Sequence, residues 1–198
     1  MKKLLLLTII SNMALGFVPR SFSTKYKQIV KNQLTGTPKE SNGTFDYQYP
    51  GKLRLEQVGT DALVYVTNEK TTWYKRDGFM PGDPAEIVIH KGSDKGLSNF
   101  FDLLKSGLKT NKNYKVKDSE KYSVLVFEEK AVKDTGVIET KLVFKSTDKK
   151  FSNLSKIEIN YADGKSVNLE LSNIAINKKF QEKNFILQVP KGANVSYQ

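Results

Sequence analysis

His90 is the chain's one histidine, and cysteine is absent. Imidazole and thiolate are the groups that ligate zinc or iron and attack carbonyl carbons near neutral pH. A lone imidazole on a strand edge offers neither a metal set nor a nucleophile with its base. Without cysteine there is also no disulfide and no thiol for N-terminal lipid attachment. Carboxylates are the remaining source of acid–base chemistry. Glu128 and Glu129 are adjacent, and neighbours on a strand face opposite sides, so they do not converge on one substrate. Glu56 and Asp61 flank a turn and read as solvated. No Gly-x-Ser-x-Gly elbow, His-Glu-x-x-His helix or phosphate-cradling glycine loop occurs. These residue types predict a protein without catalytic residues, metal or cofactor, which works by binding.

The residues that could bind are apolar, and their spacing assigns them to strands. Gly43-Thr44-Phe45-Asp46-Tyr47-Gln48-Tyr49 puts three aromatics on one face, and Pro50-Gly51 follows as a turn. Leu53-Arg54-Leu55 returns. Leu63, Tyr65 and Thr67 alternate with Val64 and Val66, Asn68-Glu69-Lys70 turns, and Thr71 to Tyr74 and Ala85 to His90 continue the meander. The later half repeats the pattern at Tyr122 to Glu128, Ile138 to Lys145, Leu154 to Tyr161, Ser166 to Asn173 and Phe185 to Val189. Ala162-Asp163-Gly164 is a hairpin signal. With Arg20 to Asn32 these make about ten or eleven strands, more than a flat open sheet holds without curling. The expected fold is mainly β with short helices, a strongly curved antiparallel sheet forming an unclosed barrel. One segment departs from period two: Leu97, Phe100, Phe101, Leu104 and Leu108 recur at helical spacing. Glycine- and proline-rich chain from Arg76 to Gly96, with Phe79-Met80 exposed, precedes it. This helix reads as a lid or as a cap on the core.

The first residues read as an export signal. Lys2 and Lys3 precede an apolar run from Leu4 through Val18, broken at Ser11-Asn12 and too short to span a membrane. Cleavage after Gly16 or after Ser23 satisfies the small-residue rule, and retention of residues 4–18 as a helix is the alternative. The expected organisation is a signal over 1–23 and one domain over 24–198. Net charge is +11, and removing residues 1–23 leaves 29 basic against 21 acidic residues. That balance suits an anionic surface such as phospholipid or lipopolysaccharide. No basic run is interleaved with aromatics as a base-stacking platform needs, so nucleic acid is not an expected partner.

Several strings follow one another along the chain: Gly43-Thr44-Phe45, Tyr49-Pro50-Gly51-Lys52-Leu53-Arg54-Leu55, Asn68 to Tyr74, Ile157-Glu158-Ile159 before Ala162-Asp163-Gly164, Asn173 to Asn177, and Phe185 to Val195. In order and spacing they resemble the LolA family of periplasmic lipoprotein carriers. The resemblance implies an unclosed barrel under a helical lid, with an apolar cavity for the acyl chains of outer-membrane lipoproteins. It implies an inner-membrane ATP-driven ABC transporter that loads the carrier and an outer-membrane lipoprotein receptor that unloads it. It also implies a soluble periplasmic protein, expected to be monomeric. On this reading Phe45, Tyr47, Tyr49, Leu53, Leu55, Leu63, Tyr65 and Trp73 line the cavity. Leu97, Phe100, Phe101, Leu104 and Leu108 form the lid that fills it when empty. Family members commonly carry a lid-closing arginine where this chain has Tyr49, leaving Arg54 as the candidate for that role. The family's N-terminal amphipathic helix has no counterpart unless residues 4–18 supply it. The competing reading is a non-enzymatic module for anionic lipid surfaces, and an exported hydrolase with dispersed carboxylates is a third.

Overall fold

The computed structural model describes residues 16–31, 38–59, 62–80, 82–92 and 96–198. Residues 1–15, most of the expected signal, and Asp61 lie outside them. The described strands are β1 (Ser21–Lys31), β2 (Pro38–Gln48), β3 (Lys52–Val58), β4 (Leu63–Thr67), β5 (Thr71–Arg76) and β6 (Glu86–Lys91) in the first half. The second half holds β7 (Tyr114–Asp118), β8 (Tyr122–Phe127), β9 (Val137–Phe144), β10 (Leu154–Tyr161), β11 (Ser166–Ile176) and β12 (Asn194–Tyr197). Two helices interrupt them, α1 (Leu97–Leu104) and α2 (Glu129–Thr135).

Among the described residues all twelve strands form one sheet, in the order β12-β6-β5-β4-β3-β2-β1-β11-β10-β9-β8-β7. Two antiparallel meanders meet where β1 pairs with both β2 and β11. Among the described strands the one parallel pairing is β12 on β6. The sheet does not close, and β12 and β7 are its edges. Its curvature follows from ring contacts. β2 and β8 stand five strand spacings apart, about 24 Å on a flat sheet. Yet Tyr47 of β2 meets Phe101 at 5.5 Å, Phe101 meets Phe100 at 5.3 Å, and Phe100 meets Phe127 of β8 at 6.0 Å. Two adjacent residues of α1 bridge strands that a flat sheet would hold beyond their reach.

The main core lies on this inner face and takes residues from both meanders, among them Phe22, Phe45, Leu53, Leu125, Leu142, Ile157 and Leu169. Gly43 of β2 leaves room for it: a Cβ there would stand 2.7 Å from the Tyr26 ring and 2.1 Å from the Glu56 carbonyl oxygen. A smaller core on the outer face joins Val66, Ile87 and Ile89 to Phe185 and Leu187.

Four elements differ from the sequence expectation, the first being the edge strand β12, which follows the last expected strand. Phe185–Val189 is not a strand: a 3₁₀ turn at Glu182–Phe185 is followed by chain that reaches β12. Phe185 and Leu187 alternate because both press on the outer face of β4 and β6, a packing that period two alone does not separate from a ladder. β7 was not expected. It is an edge strand of five residues with Lys115 and Lys117, the charged disguise common to exposed edges. α2 was also not expected. Glu128 is its N-cap and Glu129 its first residue, so the two carboxylates sit at a helix start and not on a strand. Glu128 pairs with Lys115 and Glu129 with Lys133 at i+4, and Gly136 at φ +73° ends the helix.

Candidate functional site

The inner face is assembled by register. Phe45, Leu55, Tyr65 and Tyr74 lie opposite one another across β2 to β5, and Tyr47, Leu53, Thr67 and Thr72 form the next row. Of the predicted lining residues, Phe45, Tyr47, Leu53 and Tyr65 are buried here, and Leu55 packs against them half-buried. Leu63 has the same facing but stands at the end of the row beside Gln57 and Arg76, half-buried. Tyr49 is exposed at the rim, its ring 4.7 Å below the Lys105 ammonium.

Trp73 is a correction. It lies opposite Val66 and Ile89 and packs in the outer core, because the register pairs Tyr74, not Trp73, with Tyr65. Arg54 is a second. Its Nε donates to Glu56 Oε1 at 2.6 Å and its Nη1 approaches the Asn184 carbonyl, all on the outer face, away from α1. Period two on β3 sets Leu53 and Leu55 inward and Arg54 outward. His90 shares the inner facing and meets the Tyr74 ring edge-on at 5.5 Å.

Helix α1 fills the hollow. Phe100, Phe101 and Leu104 are fully buried, while Leu97 and Leu108 pack half-buried at its ends. Phe101 touches the rings of Phe22, Phe45, Tyr47 and Phe100 at 5.2 to 5.6 Å. The helix ends at Leu104, short of the predicted Leu108, as the N–H groups of Lys105, Ser106 and Gly107 bond back to residues 102, 103 and 104. The Tyr114 hydroxyl then donates to the Gly107 carbonyl at 2.6 Å.

The polar tie between helix and sheet is Asp102. Its Oδ1 accepts the Tyr47 hydroxyl at 2.5 Å, and its Oδ2 accepts the Gly51 backbone N–H at 3.0 Å. Burial, and then the facing Asp102 carboxylate, push the Tyr47 hydroxyl well above the usual phenol range, so it keeps its proton and is the donor. Burial also raises the Asp102 pKa, against the lowering effects of Tyr47, Gly51 and Lys105. Asp102 was missed in the sequence, where the signal was a lone acid inside an otherwise apolar helix. Three buried hydroxyls have no hydrogen-bond partner among the described residues: Tyr26 Oη on β1, Ser98 Oγ on α1 and Thr140 Oγ1 on β9. No group of residues suited to a metal ion occurs among the described residues.

A mainly β sheet, curved but unclosed and filled by a short amphipathic helix, is a specific architecture. The family described as outer membrane lipoprotein carrier protein LolA matches residues 19–188. The chain belongs to the LolA family. An outer-membrane lipoprotein carrier protein of Idiomarina loihiensis is 24% identical over 179 residues, covering 90% of this chain and 82% of that one. A protein of the same description from Dechloromonas aromatica is 24% identical over 180 residues, covering 89% and 81%. Among solved structures, a LolA superfamily protein from Nitrosomonas europaea aligns over 87% of this chain and 93% of its own, with 9% identity and a TM-score of 0.46. In this chain the tie between α1 and the sheet has its carboxylate on the helix, with Tyr47 of β2 and Gly51 of the turn before β3 as donors.

Proposed function

We propose that this protein is a non-enzymatic, exported carrier that takes the acyl chains of lipoproteins under α1 and moves them across the periplasm. An inner-membrane ABC transporter loads it, and an outer-membrane receptor, where present, unloads it; the carrier acts as a monomer. The observation that carries this reading is a hollow filled by the side chains of one short helix, itself tied down through a single carboxylate.

The magnitudes support an exchange. Burying a large apolar side chain contributes roughly 1.5–3 kcal/mol, so lifting three or four from the hollow costs about 5–12 kcal/mol. One acyl chain of about fifteen methylenes recovers about 12 kcal/mol at 0.8 per methylene. The two nearly balance, as a carrier that must also release requires. The buried hydroxyls of Tyr26, Ser98 and Thr140, which have no partner among the described residues, are suited to donate to ester or amide carbonyls at the root of the chains.

Of the two cleavage points, the one after Gly16 fits the packing. Cleavage after Ser23 would remove Val18 and Phe22, both buried in the main core. No helix among the described residues is long and apolar enough to cross a membrane. The test is capture, by protein purified from the periplasm, of one lipoprotein in its acylated form and as a variant lacking the acylated cysteine. The acylated form alone should be retained, by a carrier whose intact mass begins at Phe17. Equal retention of both forms would end the carrier reading.

A further inference from the structure

Where the N-terminal segment meets the C-terminal end of α1, the surface opens into a cleft of about 800 Å³, within the range of small-molecule sites. Its floor is apolar, formed by Phe17, Pro19, Phe151 and Ile176. Its rim carries Arg20, Lys105, Lys149 and Lys150, and among the described residues no carboxylate lines it. An adjoining recess shares Arg20 and adds Lys178 and Lys179, again without a carboxylate.

The four rim cations are not equivalent. Lys149 is matched by Asp118 at 2.5 Å and Lys150 by Asp148 at 2.9 Å. The Arg20 side chain has no ion-pair partner among the described residues. Lys105 meets the Tyr49 ring and the Val18 carbonyl, and burial and the like charge of Arg20 lower its pKa, opposed by Asp102. Two cations are thus held together beside an apolar floor, an arrangement that an incoming anion relieves. The floor also leads inward. Phe17 meets Phe151 at 5.5 Å, Phe151 meets Phe22 at 4.5 Å, and Phe22 meets Phe101 at 5.2 Å. A hydrocarbon tail entering here follows a run of rings to the space that α1 occupies. Acyl chains on an uncharged root make no use of the two cations.

We propose that this cleft holds the phosphate of a glycerophospholipid between Arg20 and Lys105, with its acyl chains running over Phe17 and Phe151 toward α1. The tail site rests on the carrier reading; the head-group site is additional to it. The test is calorimetric binding, at low ionic strength, of dioctanoyl phosphatidylglycerol and of dioctanoylglycerol, which has the same tails and no phosphate, below their micellar concentrations. The exported protein should bind the phospholipid at least about tenfold more tightly, as two charge-assisted contacts allow. Arg20→Glu and Lys105→Gln should each bring the phospholipid down to the diacylglycerol value and leave the latter unchanged. Arg20 is exposed, so the first variant keeps the fold, which circular dichroism verifies. Equal binding of the two lipids, or a preference that survives both variants, overturns the head-group site and leaves the carrier reading standing. Binding of neither lipid overturns both. Full competition by inorganic phosphate shows a bare anion site and overturns the lipid assignment.

Discussion

Asp102 has two acceptor oxygens and two donors, Tyr47 Oη and Gly51 N, facing them. Asp102→Ala leaves a buried hydroxyl unpaired, at about 1–3 kcal/mol. Amide exchange across residues 97–104 should therefore quicken by roughly tenfold or more, with the strand amides of β1 and β2 unaffected. The carboxyl also sets a pH dependence. Closure raises its pKa above the ordinary 3.8, so the closed state holds the proton more tightly than the open one. This contribution to closure is complete below the ordinary value and is lost as pH rises through the raised one. Exchange of the α1 amides, corrected for intrinsic rates, should be slowest at the acidic end in the native protein. In Asp102→Asn that slope should vanish; a slope that persisted would assign the titration elsewhere.

At the level of elements, α1 is the part whose role can be separated from ordinary packing. Phe101→Glu sets a carboxylate among four rings and would report on folding first. Phe101→Ala separates the two roles. It should destabilise the empty protein by about 3–5 kcal/mol, as truncation of a buried ring does. Ligand affinity should hold or rise, because the bound state has already displaced that ring. An affinity that fell in step with the melting temperature would make Phe101 a core residue only. The elements that position this site were largely legible, since Phe45, Tyr47, Leu53 and Tyr65 alternate cleanly and Phe100, Phe101 and Leu104 follow helical spacing. Arg54 faces away from Leu53 and Leu55 by alternation on β3 alone, so its outward position was legible; Trp73 was misplaced for a different reason. Alternation fixes which residues of a strand share a face, but the register between β4 and β5 decides which faces coincide. Asp102 was not legible as a tie because its partners are fifty-one and fifty-five residues away, a separation that local pattern does not record. β7 and α2 escaped because lysines mask the edge and the helix is only seven residues long.

Taken whole, the molecule has an inner core that the reading above makes exchangeable and an outer core around Phe185 that is not. Uptake of a ligand with an uncharged root into the inner one should carry a large negative heat-capacity change and little dependence on salt. Strong salt dependence with a small heat-capacity change would indicate attachment to a charged surface. The unpaired edges at β12 and β7 bear on what can be accommodated. A closed cylinder of strands has its bore fixed by strand number and stagger. A sheet with a seam has no such constraint: its two margins can part by a few ångströms while every existing ladder stays intact, so the girth of the vessel follows the bulk of what is poured into it.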